Sequence, residues 1–262
     1  MLSDFLEDIR KKTPRVHCIA NYVTANDCAN LLLAVGASPV MADAPMESGE
    51  ITACCDALTL NLGTISARRL EAMRLSARSA QEKGIPVILD PVGVTLSSAR
   101  REAVRELLGA CSVIRANASE ICALAGEKTV CGLEAQDEGE VAVEAAKRLA
   151  DQAKTVVVMT GETDVITDGR HVFRVFNGHA IQRSITGAGC QLTALLGAFA
   201  AANPQRILDA AIAGTCMMGL CAEKAHVRMS SQDGNASCRG YIIDAAYRMT
   251  GAQLEEGARY EM

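Results

Sequence analysis

The sequence predicts an α/β fold, with a mostly parallel central sheet and helices on both faces. Three observations point there. Short apolar segments recur at 16–20, 39–42, 57–62, 86–89, 112–114 and 155–159. Helical patterns at 25–35, 66–83, 98–108 and 141–152 fall between most of them. The apolar segments read as buried strands, and strands alternating with helices build a parallel sheet between two helical layers.

The other elements follow from local rules. Segments 164–167 and 171–176, separated around Asp168-Gly169, read as a hairpin. Beyond Gly187 the chain reads as helical, at 188–202, 204–224 and 235–250. Leu192, Leu195, Leu196 and Phe199 recur at helical spacing in the first of these. Gly36, Gly84 and Gly251 stand where helix-ending glycines belong. No repeat, linker or low-complexity block divides the chain, so a single domain spanning 1–262 is expected.

Composition narrows the function. Hydrophobic residues make up 49% of the chain and aromatics 3%, with no Trp, so the core is aliphatic. A net charge of −5 without a Lys/Arg run argues against nucleic acid as the main partner. The opening MLSDFLEDIRKK has no apolar core of a signal peptide, and no apolar run reaches the roughly 18 residues of a membrane span. No membrane association and a cytoplasmic location are expected. The eleven cysteines are odd in number and contain no C-x-x-C pair. Cys18, Cys28, Cys111, Cys122, Cys216 and Cys221 lie among apolar neighbours, the setting of free buried thiols rather than of a disulfide framework or zinc site.

Ligands in open α/β sheets bind beyond the carboxyl ends of the strands, and the polar residues collect there. PVILD ends in Asp90, VIRAN in Arg115 and Asn117, and VVVMTG in Thr160 and Gly161. ALTLNLGT ends in Asn61, Gly63 and Thr64, and HCIANYVTAN carries Asn21, Thr24 and Asn26. Each has a plainer reading. Asn117 and Glu120 form a helix start, Asp90 stops a strand, Arg115 pairs with Glu120 on the surface, and Thr160-Gly161 is turn chemistry. Met41 reads as core, and His17 as a packed polar group.

The segment SITGAGCQLTALLGAF opens a helix with the turn Gly187-Ala188-Gly189. The free amides of a first helical turn suit an anion. The pattern is neither a dinucleotide fingerprint, since position 192 is Leu, nor a P-loop. Close packing of helix on sheet is the alternative use of such glycines. Cys190 follows the turn, where a helix start lowers a thiol pKa.

The motifs HCIANYVTANDCANLLLAVGASPVMADAP, LTLNLGT, PVILDPVG, VIRANASEI, VVVMTGETDVI and SITGAGCQLTALLGAF together resemble hydroxyethylthiazole kinase of thiamine salvage, over residues 14–200. The resemblance implies a ribokinase-like three-layer sandwich and ATP-dependent phosphorylation of 4-methyl-5-(2-hydroxyethyl)thiazole. It also implies Mg²⁺ and a homotrimer with sites between neighbouring subunits. Carried over by motif, Met41 and Gly187 meet the substrate, and Asn21, Val23 and Thr24 shape its pocket. Arg115 and Thr160 contact ATP, Asp90 and Glu120 serve the metal, and Cys190 is a weak base or orienting group. The resemblance gives Asp43 no role. Two other functions remain open on the residues: a hydrated-nicotinamide-cofactor dehydratase of the same fold, and a non-catalytic thiazole- or nucleotide-binding protein. The segment after residue 225, with Cys238, either covers the nucleotide or caps the fold.

Overall fold

The computed structural model describes residues 1–126 and 135–262, and of residues 135–138 the backbone. The described residues form one sheet of 9 strands. β1 (Arg15–Ile19), β2 (Ser38–Val40), β3 (Ala57–Asn61), β4 (Val87–Asp90), β5 (Val113–Asn117) and β6 (Val156–Thr160) are parallel, in the order β2-β1-β3-β4-β5-β6. β7 (Asp164–Thr167), β8 (Val172–Val175) and β9 (Tyr260–Glu261) continue the sheet antiparallel. Each predicted apolar segment is a strand. The hairpin is present too, as β7 and β8, with Gly169 at φ 92 in its turn.

The helices are α1 (Leu2–Lys12), α2 (Ala25–Val35), α3 (Pro45–Ala53), α4 (Ala67–Lys83), α5 (Ser98–Leu107), α6 (Ala118–Leu124), α7 (Ala135–Ala153), α8 (Ala188–Ala202), α9 (Ile207–Arg228), α10 (Asn235–Arg248) and α11 (Gly251–Gly257). Side chains of a strand point alternately to the two faces of its sheet. Val16, Cys18, Ile88, Val113 and Val158 therefore pack with α1, α2, α8, α9 and α10. Ile19, Leu58, Leu60, Leu89, Ile114 and Val157 pack with α4, α5, α6 and α7. This is the three-layer sandwich.

Several details differ from the sequence expectation. Gly36 and Gly84 end α2 and α4 in the left-handed conformation, as predicted. Gly251 does not end α10. It opens α11, because the Thr250 side chain accepts from the amide of Gln253 at 3.2 Å and so starts a new helix. The opening segment forms a helix, α1, with Leu2, Phe5, Leu6 and Ile9 buried at helical spacing. Helix α3, which buries Ser48 and Thr52, and β9, with only 2 residues, carry no apolar period in the sequence. The ten described cysteines are free. Burial pushes the thiols of Cys18, Cys111, Cys216 and Cys221 up to about 12, so they act as small apolar groups.

Helix α8 lies closely on the sheet because residue 197 is Gly. A Cβ there would stand 2.7 Å from Thr59 Cγ2 and 3.0 Å from Val16 Cγ1. Gly197→Val is expected to push α8 off β1 and β3, destabilising the fold by about 1–3 kcal/mol. Thermal unfolding of parent and variant checks this; an unchanged melting temperature would refute the close approach.

Candidate active site

The sheet order arranges the polar strand ends in a line. The ends of β2, β1 and β3 bring residues 41–44, 20–24 and 62–66 together. Asp90 ends β4, and Asn117 and Thr160 stand opposite each other at the ends of β5 and β6. Neighbouring strands are about 4.8 Å apart, so the line from β2 to β6 is roughly 24 Å long.

At its middle lies a buried ion pair. Strand alternation turns Asp90 and Arg115 toward α8, beneath its first turn. Arg115 Nη2 donates to Asp90 Oδ2 at 2.5 Å. The same oxygen accepts from Asn61 Nδ2 at 2.7 Å and from the Thr193 hydroxyl at 3.1 Å. That hydroxyl in turn accepts from Arg115 Nε at 3.1 Å. Asp90 is 0% and Arg115 7% exposed, which overturns the reading of Arg115 as a surface partner of Glu120. Burial opposes the guanidinium charge, yet Asp90 beside it holds the Arg115 pKa above its ordinary value. Asp90 Oδ1 is buried with no hydrogen-bond partner.

The start of α8 closes over this pair. Gly187 has φ 92, and a Cβ on it would lie 2.3 Å from the Thr24 methyl. A Cβ on Gly189 would lie 2.5 Å from Arg115 Nη1. The two glycines therefore let the helix start touch Thr24 on one side and the guanidinium on the other. No side chain caps this helix start; the Ala188 amide donates to the Ile185 carbonyl at 3.4 Å, and those of Gly189 and Cys190 are open to an anion. Cys190 Sγ accepts from Asn61 Nδ2 at 3.2 Å. Its pKa is not lowered, as the helix start alone would suggest. Burial, helped by the nearby Asp90 carboxylate, raises the thiol above its ordinary value.

Beyond Arg115 opens a cleft of about 660 Å³. Arg115, Thr160, Gly161 and Asp164 line it from the sheet, Ala188 and Gly189 from α8, and Thr215, Met218 and Gly219 from α9. The segment 177–183 forms the remaining wall. Thr160 donates to the carbonyl of Ala116 at 3.3 Å. Asp164 accepts from the Gly161 amide at 2.9 Å, while burial pushes its carboxyl up to about 6. Asp164, Asn177 and Thr215 escaped the sequence reading. Asn177-Gly178 after a strand is a turn signal, and Thr215 with Gly219 forms a small-residue face at helical spacing in α9.

Glu120 does not line the cleft. The helix-start reading holds for it: its two oxygens accept from Gly93 N at 3.0 Å and Asn117 N at 3.1 Å. Among the described residues, no group of three or more His, Cys, Asp or Glu could hold a metal ion by itself. Asn21, Val23, Thr24 and Met41 stand at the other end of the line. Asn21 Oδ1 accepts from Val23 N at 3.0 Å, Thr24 is buried beneath Gly187, and Val23 and Met41 are exposed. Met41 is thus not core. His17 is the packed polar group expected, with Nδ1 2.8 Å from Thr52 Oγ1 and Nε2 2.7 Å from the Ala42 carbonyl. Burial lowers its pKa.

The segment after residue 225 lends no described residue to the cleft lining, but it braces one. Asn177 donates to the Gly257 carbonyl at 3.0 Å and accepts from Arg259 N at 2.7 Å. Cys238 is wholly buried. No described helix is long and apolar enough to cross a membrane.

The sequence profile of the hydroxyethylthiazole kinase family matches residues 6–252. The hydroxyethylthiazole kinase of Clostridium acetobutylicum is 41% identical over 271 residues, covering 100% of this chain and 99% of that protein. The one of Ruminiclostridium cellulolyticum is 42% identical over 264 residues, covering 98% and 96%. The solved hydroxyethylthiazole kinase structure from Pyrococcus horikoshii OT3 matches with a TM-score of 0.89 at 33% identity, covering 99% of this chain and 98% of that one. The pyridoxal kinase of Staphylococcus aureus in complex with AMP-PCP and pyridoxal shares the ribokinase-like fold, with a TM-score of 0.66 at 15% identity over 95% and 97% of the chains. Matched in profile, in sequence and in architecture over nearly its whole length, the chain belongs to the hydroxyethylthiazole kinase family.

Proposed function

We propose that the chain transfers the terminal phosphoryl group of ATP to the primary alcohol of 4-methyl-5-(2-hydroxyethyl)thiazole. One observation carries the reading: Arg115, Thr160 and the uncapped start of α8 converge on one cleft. An ADP-release assay tests it, run with the thiazole alcohol, with hydroxymethylpyrimidine and without acceptor. ADP is expected with the first alone. ADP in another arm, or in none, would overturn the reading in favour of a different acceptor, a nucleotide-consuming lyase or a non-catalytic binder.

Phosphoryl transfer needs positioning and charge stabilisation more than covalent help. ATP occupies the cleft with its phosphates toward α8. Arg115 offers a permanent planar cation to their oxygens, and Thr160 contacts the nucleotide from β6. The amides of the α8 first turn stabilise charge on the transferred group. The acceptor enters beside Thr24 and Gly187, with Asn21, Val23 and Met41 around it. Its hydroxyl reaches Cys190, whose thiol stays protonated near neutral pH and orients the alcohol. In a loose transition state proton removal lags behind transfer, so orientation suffices.

Magnesium belongs to the proposal. Asp90 and Glu120 are hard oxygen donors of the kind that hold it with water and substrate phosphates, and the orphaned Asp90 oxygen lacks a partner that a cation or its water would supply. When bound, the ion would neutralise charge on the phosphate oxygens. Glu120 is already engaged by two amides, which favours Asp90. A homotrimer completes the proposal. Tyr22 and Val23 are 64% and 68% exposed beside the acceptor end, and a neighbouring subunit would cover them.

Cys190→Ala is expected to retain ATP binding and lose turnover by roughly 10²-fold, the lower range for a positioned proton-handling group. Cys190→Asp is expected to remain active. Steady-state kinetics with separate nucleotide titration checks both, and parental turnover in Cys190→Ala would exclude a catalytic role. Asp164 makes a pH prediction. Its folded pKa of about 6 lies above the ordinary carboxylate value, so the neutral form is favoured on folding. The group costs nothing below about pH 4, and stability falls as pH rises through about 6. Asp164→Asn should therefore raise the melting temperature at about pH 8, by at most about 3 kcal/mol of stability, and leave it unchanged near pH 4. Melting curves at the two pH values decide.

A further inference from the structure

Arg69 is 2% exposed, although it sits in the first turn of α4. Both facts count against it. Burying a cation is costly unless it is paired, and the start of a helix carries partial positive charge. Nothing in the transfer centre uses this residue. Its position makes sense only through its contacts, which reach three segments at once.

Arg69 Nη1 donates to the Thr64 carbonyl at 2.8 Å and to its hydroxyl at 2.5 Å. Nη2 donates to the carbonyl of Ala20. Nε stands 3.2 Å from Asp43 Oδ2, off the N–H axis, as an ion pair without a hydrogen bond. The guanidinium carbon lies 4.3 Å over the Tyr22 ring, and the Tyr22 hydroxyl donates to the same Asp43 oxygen at 2.5 Å. The Tyr22 amide donates to the Thr64 hydroxyl at 3.2 Å. One cation thus joins the segments that follow β1, β2 and β3. These segments carry Asn21, Val23, Thr24 and Met41.

We propose that Arg69 is a positioning residue for the acceptor alcohol, and that the Tyr22–Asp43 hydrogen bond it supports fixes the rim of the acceptor pocket. The inference rests on the reading of these strand ends as the thiazole site. Arg69 touches none of the residues of the transfer centre, so its effect falls on acceptor binding and not on nucleotide binding. The arrangement also gives the exposed Tyr22 ring one orientation, with its face on the guanidinium and its hydroxyl on Asp43.

The test uses Tyr22→Phe, Asp43→Asn, their double variant and Arg69→Lys in the full chain, with KM measured separately for the thiazole alcohol and ATP. Tyr22→Phe and Asp43→Asn should each raise the thiazole KM about tenfold, as loss of a charge-assisted hydrogen bond does, and leave the ATP KM within about twofold. The double variant should fall short of the two effects combined, because Tyr22→Phe removes the bond whose charge Asp43→Asn removes. Arg69→Lys, which keeps the charge and loses the fork, should move the thiazole KM in the same direction. Should Arg69→Lys fail to fold, the two rim variants still decide, since Tyr22 is exposed and Asp43 half-exposed. A merely structural role would lower the melting temperature and move both KM values together; that result, or an unmoved thiazole KM, overturns the inference. A parent that phosphorylates the thiazole alcohol while the variants are unaffected sinks this inference alone. A parent that does not phosphorylate it sinks the functional reading, and this inference with it.

Discussion

The site is organised around the buried pair of Asp90 and Arg115. Asp90 is sealed from solvent and Arg115 shows only a sliver to the cleft, so each charge depends on the other being in place. Asn61 and Thr193 complete the hydrogen bonding of one Asp90 oxygen and tie the pair to β3 and α8. Removing either ion would strand the other, at about 3–5 kcal/mol. The position of α8 follows from the pair. Thr193 binds it from the second turn of the helix, and Gly189 rests on the guanidinium from the first. The amides at the helix start are therefore held where the guanidinium is, and the two form one electropositive surface at the edge of the cleft.

Under the proposed reading, the sheet order divides the labour along that edge. Strands β5 and β6 carry the residues that face the cleft proposed for the nucleotide, β1, β2 and β3 carry the end proposed for the acceptor, and β4 with α8 lies between them. Each side is rigid in its own way. The nucleotide side is framed by helices α8 and α9 and by the segment after β8. The acceptor side is built from three loops, and loops hold a shape only through cross-links. Arg69 is the cross-link the structure supplies there, which explains a cation in a place that helix electrostatics would not choose.

Much of this was legible in the sequence. Buried parallel strands write themselves as unbroken apolar runs, and PVILD ends in Asp90 as β4 does, whereas Arg115 of VIRAN lies inside β5, two residues short of its end. Gly187 and Gly189 marked the turn. Other features had no local signature. Cys190 obeys two opposing rules, and only burial, which depends on the whole fold, decides that its thiol is raised. The Arg69 network joins residues 20, 43, 64 and 69, so no window of the sequence contains it. The period of α1 is legible in Leu2, Phe5, Leu6 and Ile9, the residues it buries. Gly251 looked like a helix end because the next helix is one turn away.

The wall of the cleft at Asn177 is braced by main-chain atoms, the Gly257 carbonyl and the Arg259 amide, and by the Glu223 carboxylate, which accepts from Asn177 Nδ2 at 3.2 Å and from the Arg259 guanidinium at 2.7 Å. Positions 257 and 259 are therefore held by more than the backbone: a Cβ on Gly257 would stand 2.7 Å from Leu220 Cδ2, and the Arg259 guanidinium also donates to the Phe176 carbonyl at 3.0 Å. The backbone contact forbids only proline at position 259, but the guanidinium adds a demand of its own there, so the last residues are fastened to the middle of the chain by two kinds of bond.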